Sequence, residues 1–256
     1  MSVPRSSESF DAGAAGYEAT IAQTLRPVAR RVVELAALQP DEAVLDVGTG
    51  TGNAAAAAVG DGRRVVGIDG APGMLEIARQ NVPGATFEVM DFAKLELPDG
   101  SFDAVIASHS LNFSRDRTAT LAEWLRVARP GGRLALSVPG PLAVTPNALY
   151  GEIYERHGIS SAGRYPTAAQ LADEAAAAGW RDARTIEDPS LSIRLANEEL
   201  FRTWRSIGSR AETTRDWTPE QHEELTREML AATPREADGA FVVPFGAIYL
   251  TARRAH

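Results

Sequence analysis

Residues 44–53 read VLDVGTGTGN: a short apolar run carrying one acid, Asp46, then glycines at 48, 50 and 52 leading into alanines 54–58. An apolar run bounded by glycines and followed by a strong helix former specifies a strand, a tight turn and a helix. The turn glycines let a ligand approach the backbone closely. Glycine spacing alone is a weak signal, so the meaning of the turn depends on what the next strands carry at the same edge.

The chain supplies such strands in order. Residues 18–38 repeat Ile21, Leu25, Val28, Val32 and Leu35 at helical spacing, and Gln39-Pro40-Asp41 stops this leading helix before a strand over 43–47. The pattern then predicts a helix from Gly52, a strand over 64–68, a helix over 72–81 and a strand over 85–90. After Pro98-Asp99-Gly100 it continues with a strand over 102–107, a helix over 116–128, the turn Pro130-Gly131-Gly132 and a strand over 133–138. Strands alternating with helices mean βαβ units and a mostly parallel sheet.

Beyond Pro139 the regularity loosens. Thr167 to Gln170 fits a capping box, and Gly179 stops the helix that it starts. Residues 180–193 read as extended, 197–230 as helical pieces carrying Phe201, Trp204, Ile207, Leu225 and Leu230, and 240–251 as a final strand or hairpin. The expected organisation is one domain over 1–256. It has a helical cap over 1–40, a core over 41–140, and a second half over 141–256 with a helical insertion near 197–233.

Composition narrows the function classes. The 256 residues contain no cysteine, which removes disulfides, thiolate metal sites and covalent cysteine chemistry. The histidines at 109, 157, 222 and 256 form no H-x-x-x-H pair, so no metal site is expected. A net charge of −8 disfavours a chain whose main task is to hold nucleic acid phosphates. No apolar stretch approaches the roughly 20 residues that span a bilayer, so no membrane insertion is expected. The start MSVPRSSESF lacks the apolar centre of a secretory signal, so residence in the cytoplasm is expected. Nothing in the sequence sets an oligomeric state.

Three acids carry the chemistry. Asp69 closes the second strand, where a carboxylate can accept from the two hydroxyls of a ribose. Asp46, just before the glycines, would oppose a pyrophosphate at the helix start and suits a ligand with a cationic end. The third strand ends in Val89-Met90-Asp91-Phe92, a carboxylate beside an aromatic ring, which suits an adenine amine and ring face. Any one of these acids reads equally well as a cap or a solvated loop charge. Their joint order is the signal.

With these residues in place, the chain resembles the class I S-adenosylmethionine-dependent methyltransferases, particularly the branch with the ubiquinone and menaquinone biosynthesis methyltransferases. The resemblance runs from Val44 to Val138 and rests on VLDVGTGTG, VVGIDGAPGMLEIAR, FEVMDFAKLELPDGSFDAVIASHSLNF and WLRVARPGGRLALS. It implies an α/β fold: a Rossmann-like seven-stranded, mostly parallel sheet with its last strand antiparallel, helices on both faces and a helical cap. It also implies that S-adenosylmethionine lies across the carboxyl ends of the first strands. Asp46, Gly48 and Gly50 would line its methionine part, and Asp69, Gly70 and Met74 would surround the adenosine. Gly70 stands where the family more often carries a bulkier or polar residue. Asp91 and Phe92 would meet the adenine, Ser108 and His109 would pass under the sulfonium, and Tyr17 would fold over the cofactor from the N-terminal side.

For transfer to a hydroxyl, His109 is the best placed general base, against the plainer reading that it only lines the pocket. Asn112 and Phe113, just after the fourth strand, face the acceptor in this reading. Tyr150, Tyr154 and His157 lie where the family builds acceptor specificity, although their spacing equally fits a packed helix face. Trp204 and Trp217 read as lid or core. The expected partner is a small organic methyl acceptor, with the atom methylated left open. Two alternatives share the opening motif: a nicotinamide-dependent dehydrogenase, which leaves Asp46 and Asp91 without a role, and a non-catalytic binding module.

Overall fold

The computed structural model describes residues 5–160, 165–207 and 213–256. Among these the helices are α1 (Arg5–Ala12), α2 (Ala14–Ala19), α3 (Ile21–Ala36), α4 (Asn53–Ala58), α5 (Pro72–Asn81), α6 (Arg117–Val127), α7 (Pro146–Arg156), α8 (Ala168–Ala177), α9 (Glu198–Arg205) and α10 (Pro219–Ala232). The strands are β1 (Ala43–Val47), β2 (Arg64–Asp69), β3 (Thr86–Val89), β4 (Phe102–Ser108), β5 (Ala128–Val138), β6 (Arg181–Asp188), β7 (Ser192–Leu195), β8 (Phe241–Pro244) and β9 (Ala247–Arg253).

Seven strands form one sheet in the order β3-β2-β1-β4-β5-β9-β6, parallel throughout except for β9, which runs antiparallel to β5 and β6. The seven-stranded sheet with an antiparallel last strand, covered on both faces, is the expected fold. Every residue of β1 is buried, as a parallel strand covered on both faces requires. Leu45 and Val47 point to the face covered by Trp124 of α6, Leu171 of α8 and Trp180. Val44 points to the other face, against α3, α4 and Leu75 of α5. Strand order reverses between β1 and β4, so a crevice opens at their carboxyl ends.

Two expectations are corrected by the pairing. Residues 240–251 form neither one strand nor a hairpin: β8 pairs with β7 in a separate two-stranded sheet, while β9 joins the large sheet. Pro244 cannot donate to a ladder, and the N–H groups of Phe245 and Gly246 both donate to Leu191 O, which pins the crossing point. The extended stretch 180–193 likewise divides at Pro189 between two sheets. The leading helix is also preceded by two helices, α1 and α2, that apolar spacing did not indicate.

The β7–β8 pair, α7, α9 and α10 share a core of their own, containing Tyr150, Ile153, Phe201, Leu225, Met229 and Phe241. This cap stands over the carboxyl end of the large sheet. Among the described residues no helix is long and apolar enough to cross a membrane.

Candidate active site

A cavity of about 1320 Å³, counted out to its mouth, lies at the carboxyl ends of β1, β2, β3 and β4, between α1 and α2 on one side and α9 and α10 on the other.

The glycine turn after β1 forms the floor. Gly48 adopts φ +66°, and a Cβ there would stand 2.4 Å from Ser110 Cβ, so only glycine lets the tips of β1 and β4 approach this closely. Ser110 Oγ donates to Val47 O at 2.7 Å and fixes that approach. Asp69, at the tip of β2, accepts from Gly50 N at 2.9 Å and Ala71 N at 3.0 Å while lining the cavity. Burial raises its pKa. Gly50, Gly70 and Met74 line the same region, and Tyr17 lies across it, 3.9 Å from where a Gly50 Cβ would be. Asp91 and Phe92 line the next stretch of the sheet edge, with Asp91 Oδ1 accepting from Ala93 N at 2.9 Å.

Asp46 differs from the reading that it lines the ligand. It is fully buried beneath the turn, where Oδ2 accepts from Thr49 Oγ1 at 2.6 Å and Ala55 N at 2.9 Å. Burial pushes its pKa up to about 7, against the lowering effect of those hydrogen bonds. It therefore reaches a ligand through the field it sets up and through the turn it holds.

At the end of β4 the chain turns sharply. His109 has φ +57°, an unusual conformation for a residue with a Cβ. It is held by its N–H donating to Ser137 O at 3.0 Å, by a 2.7 Å hydrogen bond between Nδ1 and Ser137 Oγ, and by stacking on Phe245 at 5.3 Å. Burial pulls its pKa down to about 3, so the imidazole is neutral at physiological pH. Ser108, Asn112 and Phe113 line the cavity beside it, and Phe113 meets Phe10 edge-on at 5.2 Å.

The far wall belongs to the cap. Tyr154, Trp204, Arg205, Ile207 and Met229 line it. Tyr150 and His157 do not: Tyr150 is buried with its hydroxyl on Thr233 Oγ1 at 2.6 Å, and His157 Nε2 turns to Glu228 Oε1 at 3.1 Å. Both are thus placed in the packing of α7 against α10, and Trp217 packs beside His157. Phe10, Arg205 and Phe245 were not singled out as site residues. Arg205 carried one local signal, since neither Phe201 nor Arg202, one turn back, can neutralise it.

The buried polar atoms test whether a nucleoside with a cationic end fits. Among the described residues, buried polar atoms without a hydrogen-bond partner include Asp46 Oδ1, Ser108 Oγ and Asn112 Oδ1 at or just beyond the tips of β1 and β4 and Thr51 Oγ1 in the glycine turn, with Glu18 Oε2 and Arg133 Nε elsewhere. Of these, Asn112 Oδ1 lines the cavity and is an acceptor-only oxygen, which suits an ammonium-bearing ligand. Asp69 and Asp91 stand one strand and two strands further along, in the order that ribose and adenine need. The donor set fits S-adenosylmethionine.

Comparisons with known proteins agree. A family model described as "Methyltransferase domain" matches residues 45–136. The chain is 33% identical to the nocamycin O-methyltransferase of Saccharothrix syringae over 221 residues, 76% of this chain and 79% of that one. It is 31% identical to the trans-aconitate 2-methyltransferase of Methylobacterium nodulans over an alignment of 265 residues, 95% of this chain and 98% of that one. Its fold is similar to phosphoethanolamine N-methyltransferase 2 of Haemonchus contortus with S-adenosylhomocysteine bound, at TM-score 0.65 and 17% identity over 100% of this chain and 61% of that one. Motif order, sheet topology and near full-length relatives converge, and the chain belongs to the class I S-adenosylmethionine-dependent methyltransferases.

Proposed function

We propose that this enzyme moves the methyl group of S-adenosylmethionine to a small, largely apolar organic acceptor held between the tip of β4 and the cap. The observation that carries this reading is one cavity with two kinds of lining: acids and glycines of the sheet edge, Asp69, Asp91, Gly48 and Gly50, and apolar rings and side chains, Phe113, Trp204, Met229 and Phe245.

S-adenosylmethionine supplies an electrophilic methyl on a sulfonium, and transfer is an in-line displacement that needs alignment and exclusion of water. Asp69 holds the ribose in this proposal, Asp91 and Phe92 the adenine, and Asp46 favours the cationic end from beneath the turn. Tyr17 and Phe10 close over the donor side. Asn112, Phe113, Tyr154 and Trp204 orient the acceptor. His109 contributes as a neutral hydrogen-bonding ring: an imidazole whose pKa is about 3 is a weak base at neutral pH, and the most effective bases titrate near the working pH. The relatives named above carry names of enzymes acting on small organic molecules, which supports the same acceptor size, and the net charge of −8 supports a substrate other than nucleic acid.

The test is formation of S-adenosylhomocysteine with a panel of phenols, enols, carboxylates and amines. Turnover with at least one is expected. Tight binding of NAD in place of S-adenosylmethionine, or cofactor binding without turnover on any member, would count against the proposal.

A further inference from the structure

One charge in the acceptor wall makes no ion pair among the described residues: Glu223, the carboxylate whose field reaches it, is hydrogen-bonded to Arg202 instead. Arg202, on the same helix, is paired with Glu198 and with Glu223. Arg205, the last residue of α9, has Phe201 and Arg202 one turn before it, so no acid of that turn can reach it. Its described hydrogen bond is from a guanidinium NH2 to His222 Nδ1 at 3.1 Å, and among the described residues it makes no ion pair. His222 has its pKa lowered by burial and by the neighbouring Arg205 charge, so it accepts this bond as a neutral ring and leaves the pair with one positive charge.

Arg205 is half-buried and lines the cavity beside Tyr154 and Trp204, while the acids that line the cavity, Asp69 and Asp91, belong to the sheet edge. Among the described residues lining the cavity it is the sole arginine or lysine. A partly desolvated guanidinium costs stability unless something compensates it, and it stays charged in proteins. One of its five N–H donors is used by His222, and the planar fork matches a carboxylate.

We propose that Arg205 is the anion-binding residue of the acceptor site, and that the acceptor is an organic carboxylate on an apolar body. The inference rests on the methyl-transfer reading of the same cavity. It adds a charge requirement that the apolar wall alone does not impose.

Calorimetric titration of the full chain saturated with S-adenosylhomocysteine tests it, using phenylacetate, cinnamate and 2-naphthoate, each against its primary amide. At least one acid is expected to bind about tenfold more tightly than its amide, the scale of a hydrogen bond to a charged group. Arg205→Gln should reduce that advantage to within about threefold, and Arg205→Lys should restore part of it, with S-adenosylhomocysteine binding retained in both. Acid and amide binding equally, no acid binding to the saturated wild-type chain, or an advantage that survives in Arg205→Gln would each overturn the proposal. The wild-type comparison stands without any variant. Failure of the wild-type chain to bind S-adenosylhomocysteine would instead remove the methyl-transfer reading.

Discussion

Asp69 serves two purposes with one carboxylate: it accepts the Gly50 and Ala71 N–H groups that shape the glycine turn, and it lines the cavity where a ribose is expected. Asp69→Ala should weaken S-adenosylhomocysteine binding by about 1–3 kcal/mol in calorimetry, and unchanged affinity would contradict its assignment. Asp46 gives a pH signature. Its pKa is raised from 3.8 to about 7, so its contribution to stability is fully present below the unfolded value and is lost as pH rises through about 7. A cationic cofactor favours the carboxylate form, so cofactor affinity should rise about tenfold between pH 6 and pH 8, and Asp46→Asn should flatten that rise. Both acids were legible because they stand at strand tips in a fixed order. Tyr150 and His157 were not separable from Tyr154, because all three share one side of α7 and only the packing of α10 decides which ring reaches the cavity.

Closure over the site depends on two elements meeting. A Cβ on Gly16 of α2 would lie 2.7 Å from Thr203 Cγ2 of α9, so the absence of a side chain lets the N-terminal helices rest on the cap. Gly16→Val should force them apart, at a cost in stability of about 1–3 kcal/mol. Release of S-adenosylhomocysteine in stopped-flow should quicken, and an unaltered release rate would show that this contact does not cover the cavity. The strands of the large sheet were readable from buried apolar runs such as AVLDV, and α8 from Thr167, whose Oγ accepts from Gln170 N at 3.2 Å. Helices α1 and α2 were not. The first has polar and small residues with little apolar spacing, and its docking rests on Phe10 and on Gly73 N donating to Asp11 Oδ1 at 2.5 Å.

For the whole molecule, cofactor and fold should be coupled. At free S-adenosylhomocysteine near 100 times its Kd, mass action adds about 2.7 kcal/mol to the stability of the folded chain. For a chain of this length that raises Tm by roughly 5–10 °C. NAD at the same concentration should leave Tm where it is, and a shift with NAD alone would favour the dehydrogenase alternative. The βαβ half was legible as a unit because local alternation dictates parallel pairing. The second half was not, since neighbouring segments there enter different sheets and the pairing partners are distant in sequence. β7 and β8 run in register from Ser192 opposite Pro244 to Leu195 opposite Phe241, so the chain enters and leaves the segment 196–240 through a single doorway. A relative's segment grafted at this doorway should therefore shift acceptor preference through the positions of Trp204, Arg205 and Met229, while the grafted enzyme keeps its own affinity for S-adenosylhomocysteine.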